Sequence, residues 1–239
     1  MQQNPRTRTR SETQKNLQSL QGQSRKLLTL SEQATPYLHQ RNVSFWKYLV
    51  TMTDVPAGSW ILDEGKREVF LVTAVSSDGT KHGMIITWVA PAGLVPDQKR
   101  IMMALSPTNQ TTQTLMESKS FAIHLLQQAQ ANLVPVFGAK HSREVNKFEG
   151  VDHEMMDGLP ILANTCGWMI GAVVSTMEAG DRVIVLADIS KEQGAVEQDP
   201  LYVKDMSAKL PVGDVQDLDQ KFSGDIDRDR QMRAKFYEP

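Results

Sequence analysis

Between Arg67 and Pro91 the apolar and β-branched residues gather into two runs, VFLVTAV and HGMIITWVAP, on either side of Asp78-Gly79. Both residues of that pair tolerate positive φ, so the segment reads as a hairpin. RIMMALS at 100–106 is a third strand, residues 111–118 read as a helix, and SFAIHLL at 120–126 is a further strand. QAQANLVPVFG at 128–138 reads as a short helix closed by Pro135 and Gly138, and SREVNKFEG at 142–150 continues as helix or loop. Two β-rich runs then flank Glu178-Ala179-Gly180-Asp181, giving a second hairpin over 166–190. At least six strands, mostly joined by hairpins and separated by few helices, point to a barrel or sandwich and not to a doubly wound sheet. Met84, Met102 and Met103 are expected in its core.

The flanks have a different texture. Residues 1–65 read as an extension: a basic arm, then a helix over about 13–30 whose Leu17, Leu20, Leu27 and Leu28 share one face, broken at Ser31–Pro36. Arg6, Arg8, Arg10, Lys15, Arg25 and Lys26 face only Glu12 in that stretch, a composition shared with transit peptides, but a solvated arm is the simpler reading. Residues 66–190 form the barrel domain. Past Lys191 hydrophobic density falls and acids accumulate, so 191–239 is expected to be an irregular tail wrapping the surface.

Composition narrows the function classes. The 239 residues carry 40% hydrophobic residues and a net charge of -2, which fits a globular chain with a sizeable core and disfavours nucleic-acid binding by bulk electrostatics. One cysteine, Cys166, permits no intrachain disulfide, no apolar run is long enough for a membrane span, and no signal-peptide h-region is present. A cytoplasmic protein is the expectation. The chain has no P-loop, no G-x-G-x-x-G turn, no G-x-S-x-G elbow and no H-E-x-x-H pair, and no metal site is expected. DIDRD at 225–229 fails as a calcium loop, since Arg230 stands where glycine is needed and Phe236 where the bidentate glutamate belongs, so it reads as a solvated charge run. No carboxylate is well placed for acid–base work. If the protein is an enzyme, a cofactor carries its chemistry and its catalytic residues are unknown.

The most informative stretch is ALSPTNQTTQTL at 104–115, where seven uncharged polar residues, Thr108 to Thr114, follow Ser106-Pro107. Two readings, compatible with each other, are open. Ser, Thr and Asn favour helix starts through local hydrogen bonds, so the run is a helix cap. Equally, a helix N-terminus surrounded by hydroxyls and amides is a cradle for an anion.

Three stretches in order, HGMIITWVAPAG (82–93), ALSPTNQTTQTLMESKSFAIHLL (104–126) and FGAKHSREVNKFEGVDHEMMDGLPIL (137–162), resemble the flavin reductase-like, FMN-binding split-barrel family. The resemblance covers about residues 68–190. It implies a mainly β protein, a six-stranded antiparallel Greek-key split barrel with short helices, forming a homodimer with FMN as prosthetic group or substrate. The activity implied is NAD(P)H-dependent reduction of flavin, with electrons passed to free flavin, oxygen, a metal centre or an electron-acceptor protein. On that reading the backbone of Thr87, Trp88, Val89 and Ala90 meets the flavin ring edge, Ser106, Asn109, Thr111 and Thr112 meet its phosphate, and Ser142, Arg143 and Lys147 add charge at the phosphate end. The plainer readings are a core or interface aromatic for Trp88 and a solvated face for Arg143 and Lys147. The chain departs from the family where Ile85-Ile86 replaces a Thr-Ala pair, which removes a small polar contact and adds bulk near the ring. Two rivals follow: a non-catalytic FMN-binding electron-transfer module that docks a partner protein, and a structural dimer of the same shape that has lost flavin.

Overall fold

The computed structural model describes residues 66–140, 145–194 and 199–238. The expected N-terminal arm and helix lie outside them. Among the described residues nine strands are present: β1 (Phe70–Val75), β2 (Lys81–Ile86), β3 (Val89–Pro91), β4 (Arg100–Leu105), β5 (Ser120–Leu125), β6 (His153–Met156), β7 (Leu159–Leu162), β8 (Gly167–Glu178) and β9 (Val183–Gly194). Among the same residues four α-helices accompany them: α1 (Gln110–Ser118), α2 (Leu133–Gly138), α3 (Val203–Lys209) and α4 (Val212–Phe236), with a 3-10 turn at Gln128–Gln130.

Seven strands form one antiparallel sheet in the order β2-β1-β5-β8-β9-β4-β3, one more than the six expected, and β6-β7 pair separately. The connectivity forces the sheet to curl. β2 and β3 are its two outermost strands, yet only Thr87 and Trp88 join them. Six inter-strand spacings laid flat would set those edges about 29 Å apart, whereas the link between Ile86 and Val89 spans at most about 11 Å. The sheet therefore closes on itself as a half-barrel, with its seam at Thr87-Trp88.

Strand alternation gives the barrel an inner and an outer core. Val72, Ala74, Met84, Ile86, Met103 and Leu105 point inward with Phe121, Ile123, Val185 and Ala187. On the other face Leu71 packs with Val134, Phe137, Leu201, Met206 and Leu218, so α2, α3 and the start of α4 cover β1 from outside. Met102, expected inside, is 44% exposed, because its neighbours Ile101 and Met103 take the inward positions of β4.

His124 pins the layers together. From β5 its Nδ1 meets the Leu71 carbonyl at 2.9 Å, while Nε2 accepts the Leu162 N–H of β7 at 3.2 Å. That pattern requires a neutral ring, and burial pulls its pKa down to about 4.

Local chemistry accounts for the remaining differences from expectation. Both Asp78-Gly79 and the 178–181 hairpin form as predicted. A third hairpin, β6-β7, turns on Asp157-Gly158, both at positive φ (50° and 78°). Pro135 lies in the first turn of α2 and does not close it, since a first-turn proline gives up no intrahelical hydrogen bond. The tail is not irregular: α4 runs for 25 residues, and its inward stripe reads Val215, Leu218, Phe222, Asp225, Asp229. DIDRD is part of that helix and not a purely solvated run, because Asp229 is buried against Arg182.

Candidate functional site

Beside the seam lies a cavity of about 650 Å³, a size suited to a cofactor or substrate. β2 supplies Gly83 to Ile86, the crossing segment Thr87 and Trp88, the end of β4 Ala104 and Leu105, and the start of α1 Ser106, Thr108, Asn109, Gln110 and Thr111. Lys147 and Phe137 form another wall, and α4 lies across with Lys221, Phe222, Asp225, Arg228 and Asp229.

The polar run at the head of α1 is not consumed in capping its helix. Asn109 stands at the N-cap position with extended backbone, φ -74° and ψ 131°, yet makes no side-chain cap hydrogen bond. Its amide reaches only the Met84 sulfur at 3.6 Å, and Ser106 pairs with Thr108 at 3.0 Å. The first turn carries no acid to offset the positive end of the helix dipole. The Asn109 side chain therefore makes no cap, and its amide stays at the cavity.

The crossing segment divides backbone groups by strand alternation. The Ala104 N–H donates to the Trp88 carbonyl at 3.2 Å, and the Ala92 N–H to Arg100 at 2.8 Å. Residues 88, 90 and 92 thus spend their backbone on β4, and Val89 between them turns its own toward the open edge of the sheet. Trp88 is 47% exposed, with the Arg182 guanidinium 5.0 Å from its ring centre, within cation–π range.

Lys147 is the electrostatic centre of the site. It is 7% exposed, and its Nζ donates to two carbonyls, Gly83 at 3.3 Å and Phe137 at 3.2 Å. Among the described residues no carboxylate pairs with it. Burial, with Lys221 as the second cause, lowers its pKa to about 8. A buried ammonium held only by neutral dipoles is costly unless an anion joins it. The wider lining has the same sign: Arg67, Lys140, Lys147, Arg182, Lys221 and Arg228 against Asp225 and Asp229. A cation-rich cavity in a chain of net charge -2 fits an anionic ligand.

Of the residues expected from sequence, Thr87, Trp88, Ser106, Asn109, Thr111 and Lys147 come together in this lining. Val89, Ala90 and Thr112 do not line it; the Thr112 hydroxyl is buried 3.7 Å from the Met84 sulfur. Ser142 and Arg143 lie outside the described residues. Sequence reading missed Arg182 and the whole α4 wall. Their signal was the 3–4 spacing of Val215, Leu218 and Phe222, which stops looking amphipathic where the next inward positions are aspartates. Among the described residues no group of His, Cys, Asp and Glu is arranged to hold a metal, and no helix is long and apolar enough to cross a membrane.

Comparison with known proteins bears on the same region. Over 136 residues the chain is 24% identical to high molecular weight rubredoxin of Moorella thermoacetica, covering 56% of this chain and only 58% of that one. Over 144 residues it is 26% identical to flavin reductase of Pseudomonas putida, covering 59% of this chain and 81% of that one. Among solved structures, an NADH:FAD oxidoreductase of Streptomyces globisporus superposes with TM-score 0.54 at 20% identity, over 62% of this chain and 90% of that one. The styrene monooxygenase flavin reductase of Pseudomonas putida S12 does so with TM-score 0.52 at 20% identity, over 58% and 86%. These structural likenesses establish the half-barrel fold. The family model of the flavin reductase like domain matches residues 64–207, the whole half-barrel with α1, α2 and most of α3 and well over half of the chain, and the chain belongs to that family.

Proposed function

We propose that the chain is an NAD(P)H-dependent flavin reductase that binds FMN in the cavity beside the Thr87-Trp88 seam, with the phosphate at the head of α1. The observation that carries this reading is Lys147, a buried cation with carbonyl partners only, in the same cavity as an uncapped helix start. Ser106, Asn109 and Thr111 offer hydroxyl and amide donors there, and the helix dipole adds to them. Thr87 lies where the flavin ring edge would meet the seam, and Ile85 and Ile86 give that wall an apolar surface. Held by Ser106, Asn109, Thr111 and Lys147 at its phosphate and by Thr87 at its ring edge, flavin would supply the redox chemistry, as acceptor of a hydride from a reduced nicotinamide and donor of the electrons to free flavin or an acceptor protein. The protein's share is binding, orientation and exclusion of water, which is why no acid–base pair is needed in the lining.

The same reading makes the protein a cytoplasmic homodimer. An outward apolar row runs across the sheet through the pairs Met102–Leu186 and Ile184–Met177 beside Val174, with Met177 61% exposed. A second copy of the chain is the occupant proposed for it, and a monomeric mass in solution would refute that part.

The visible spectrum of the purified protein tests the function. FMN bands that bleach on anaerobic NADH or NADPH support the reductase. Bands that persist assign an electron-carrying module that another protein reduces. A protein that takes up neither FMN nor FAD removes the flavin reading altogether.

A further inference from the structure

α4 lies beyond the segment that the family model matches, yet it forms one wall of the cavity. Its inward stripe changes character halfway. Val215 and Leu218 are buried in the outer core with Phe222 packed against them, so the first half is anchored by apolar contact. The next inward positions are Asp225 and Asp229, held by ion pairs. Asp229 accepts from Arg182 Nη1 at 2.6 Å and from Arg228 at 2.9 Å, and Asp225 accepts from Lys221 at 2.9 Å and Arg228 at 2.7 Å. Farther along, Arg233 lies 3.5 Å from Asp181.

Ser223-Gly224 sits at the changeover. The Ser223 hydroxyl donates to the Asp219 carbonyl one turn back at 3.0 Å, a bond that bends helices, and Gly224 is the weakest helix former short of proline. Gly–Ser pairs are where helices kink. No packing explains the glycine, because a Cβ there would meet nothing within 4 Å.

We propose that residues 225–236 of α4 are a lid hinged at Ser223-Gly224 and latched by Asp229, which holds Arg182, a cavity cation for which the anionic ligand competes. Arg182 is the pivotal partner, because it joins the latch to the Trp88 ring on the cavity wall. A ligand bearing phosphate draws on Arg182, weakens its hold on Asp229 and frees the second half of the helix. The apolar first half stays in place and keeps the hinge attached to the barrel. This inference rests on the proposed flavin site for the ligand's identity, but the lid motion itself does not depend on it.

Two variants act in opposite directions. Asp229→Asn removes the latch charge, and Gly224→Ala stiffens the hinge at a position with open space. FMN association and dissociation, followed by stopped-flow fluorescence, should both accelerate about tenfold in Asp229→Asn and both slow about fivefold in Gly224→Ala. Hydrogen exchange supplies a readout that needs no ligand: amides of 225–236 should exchange faster than those of 212–222, faster still in Asp229→Asn and more slowly in Gly224→Ala. If the whole helix exchanges as one unit, unaffected by either variant, the lid is refuted even where FMN binds. If FMN fails to bind while the two halves still exchange differently and respond to both variants, the lid stands and the flavin assignment falls.

Discussion

Replacing Lys147 with methionine keeps the length of the side chain and removes its charge, and the site predicts opposite consequences for stability and binding. The folded protein lowers the Lys147 pKa from 10.5 to about 8, mainly by burial. At about 1.36 kcal/mol per pKa unit, holding the proton in the folded state costs about 3 kcal/mol. The sign follows from linkage. Below pH 8 both folded and unfolded chains carry the proton, so the penalty is complete at neutral pH. Between about pH 8 and 10.5 the unfolded chain binds more protons than the folded one, so this group's contribution to stability rises with pH. Methionine removes the penalty but leaves the Gly83 and Phe137 carbonyls without this donor, at about 1 kcal/mol or less each against the gain. Lys147→Met should therefore be more stable than the parent by about 1–3 kcal/mol in denaturant at pH 7, with the advantage shrinking toward pH 10.5. FMN affinity, read by fluorescence quenching, should fall about 30- to 150-fold, as loss of a charge-assisted hydrogen bond requires. Riboflavin, which has no phosphate, should bind both proteins alike. In the parent, FMN affinity should also decline as pH passes 8, because an unprotonated Lys147 must take up a proton to meet the phosphate. A variant that is less stable at pH 7 and unchanged toward FMN would refute this reasoning and make Lys147 a structural tether between β2 and α2.

Thr111→Val should weaken FMN binding about 5- to 30-fold, whereas Thr112→Val should leave it unchanged, since only Thr111 lines the cavity; equal effects on titration would contradict the geometry. His124, whose pKa is lowered from 6.5 to about 4, contributes stability that is present above pH 6.5 and lost as pH falls toward 4. Acid unfolding of a His124→Gln variant, followed by circular dichroism, should lack that component of the pH dependence. Gly180→Ala should cost about 1–2 kcal/mol in thermal unfolding, because Gly180 has φ +78° and an added Cβ would come 2.9 Å from the Phe236 Cβ at the end of α4.

What the sequence made legible is the part governed by local rules. The Asp78-Gly79 hairpin, the β4–α1–β5 succession and the long β8–β9 hairpin each have period-2 patterning and a turn that only certain residues satisfy. Asp157-Gly158 carried the same turn signal, but β6 and β7 are four residues each, too short for alternation to register. The head of α1 could be marked as polar from sequence. Whether those groups cap or cradle depends on the Asn109 side-chain direction, which no spacing rule gives.

The α4 wall was illegible for a different reason. Amphipathic reading assumes that the buried face of a helix is apolar, and Asp225 and Asp229 break the assumption where α4 leaves the outer core and crosses the cavity. A buried acid on a helix is tolerated only when it is paired, and here Arg182 arrives from the β8–β9 turn 47 residues earlier to join Arg228 of the same helix. The two halves of that pair are each uninformative in sequence: an arginine after a hairpin turn and an aspartate in a mixed-charge tail. Joined in the fold, they tie the C-terminal helix to the wall that holds Trp88. The residues least readable along the chain are thus the ones that set α4 apart from the family's common half-barrel, because their meaning lies in a long-range ion pair and not in any local pattern.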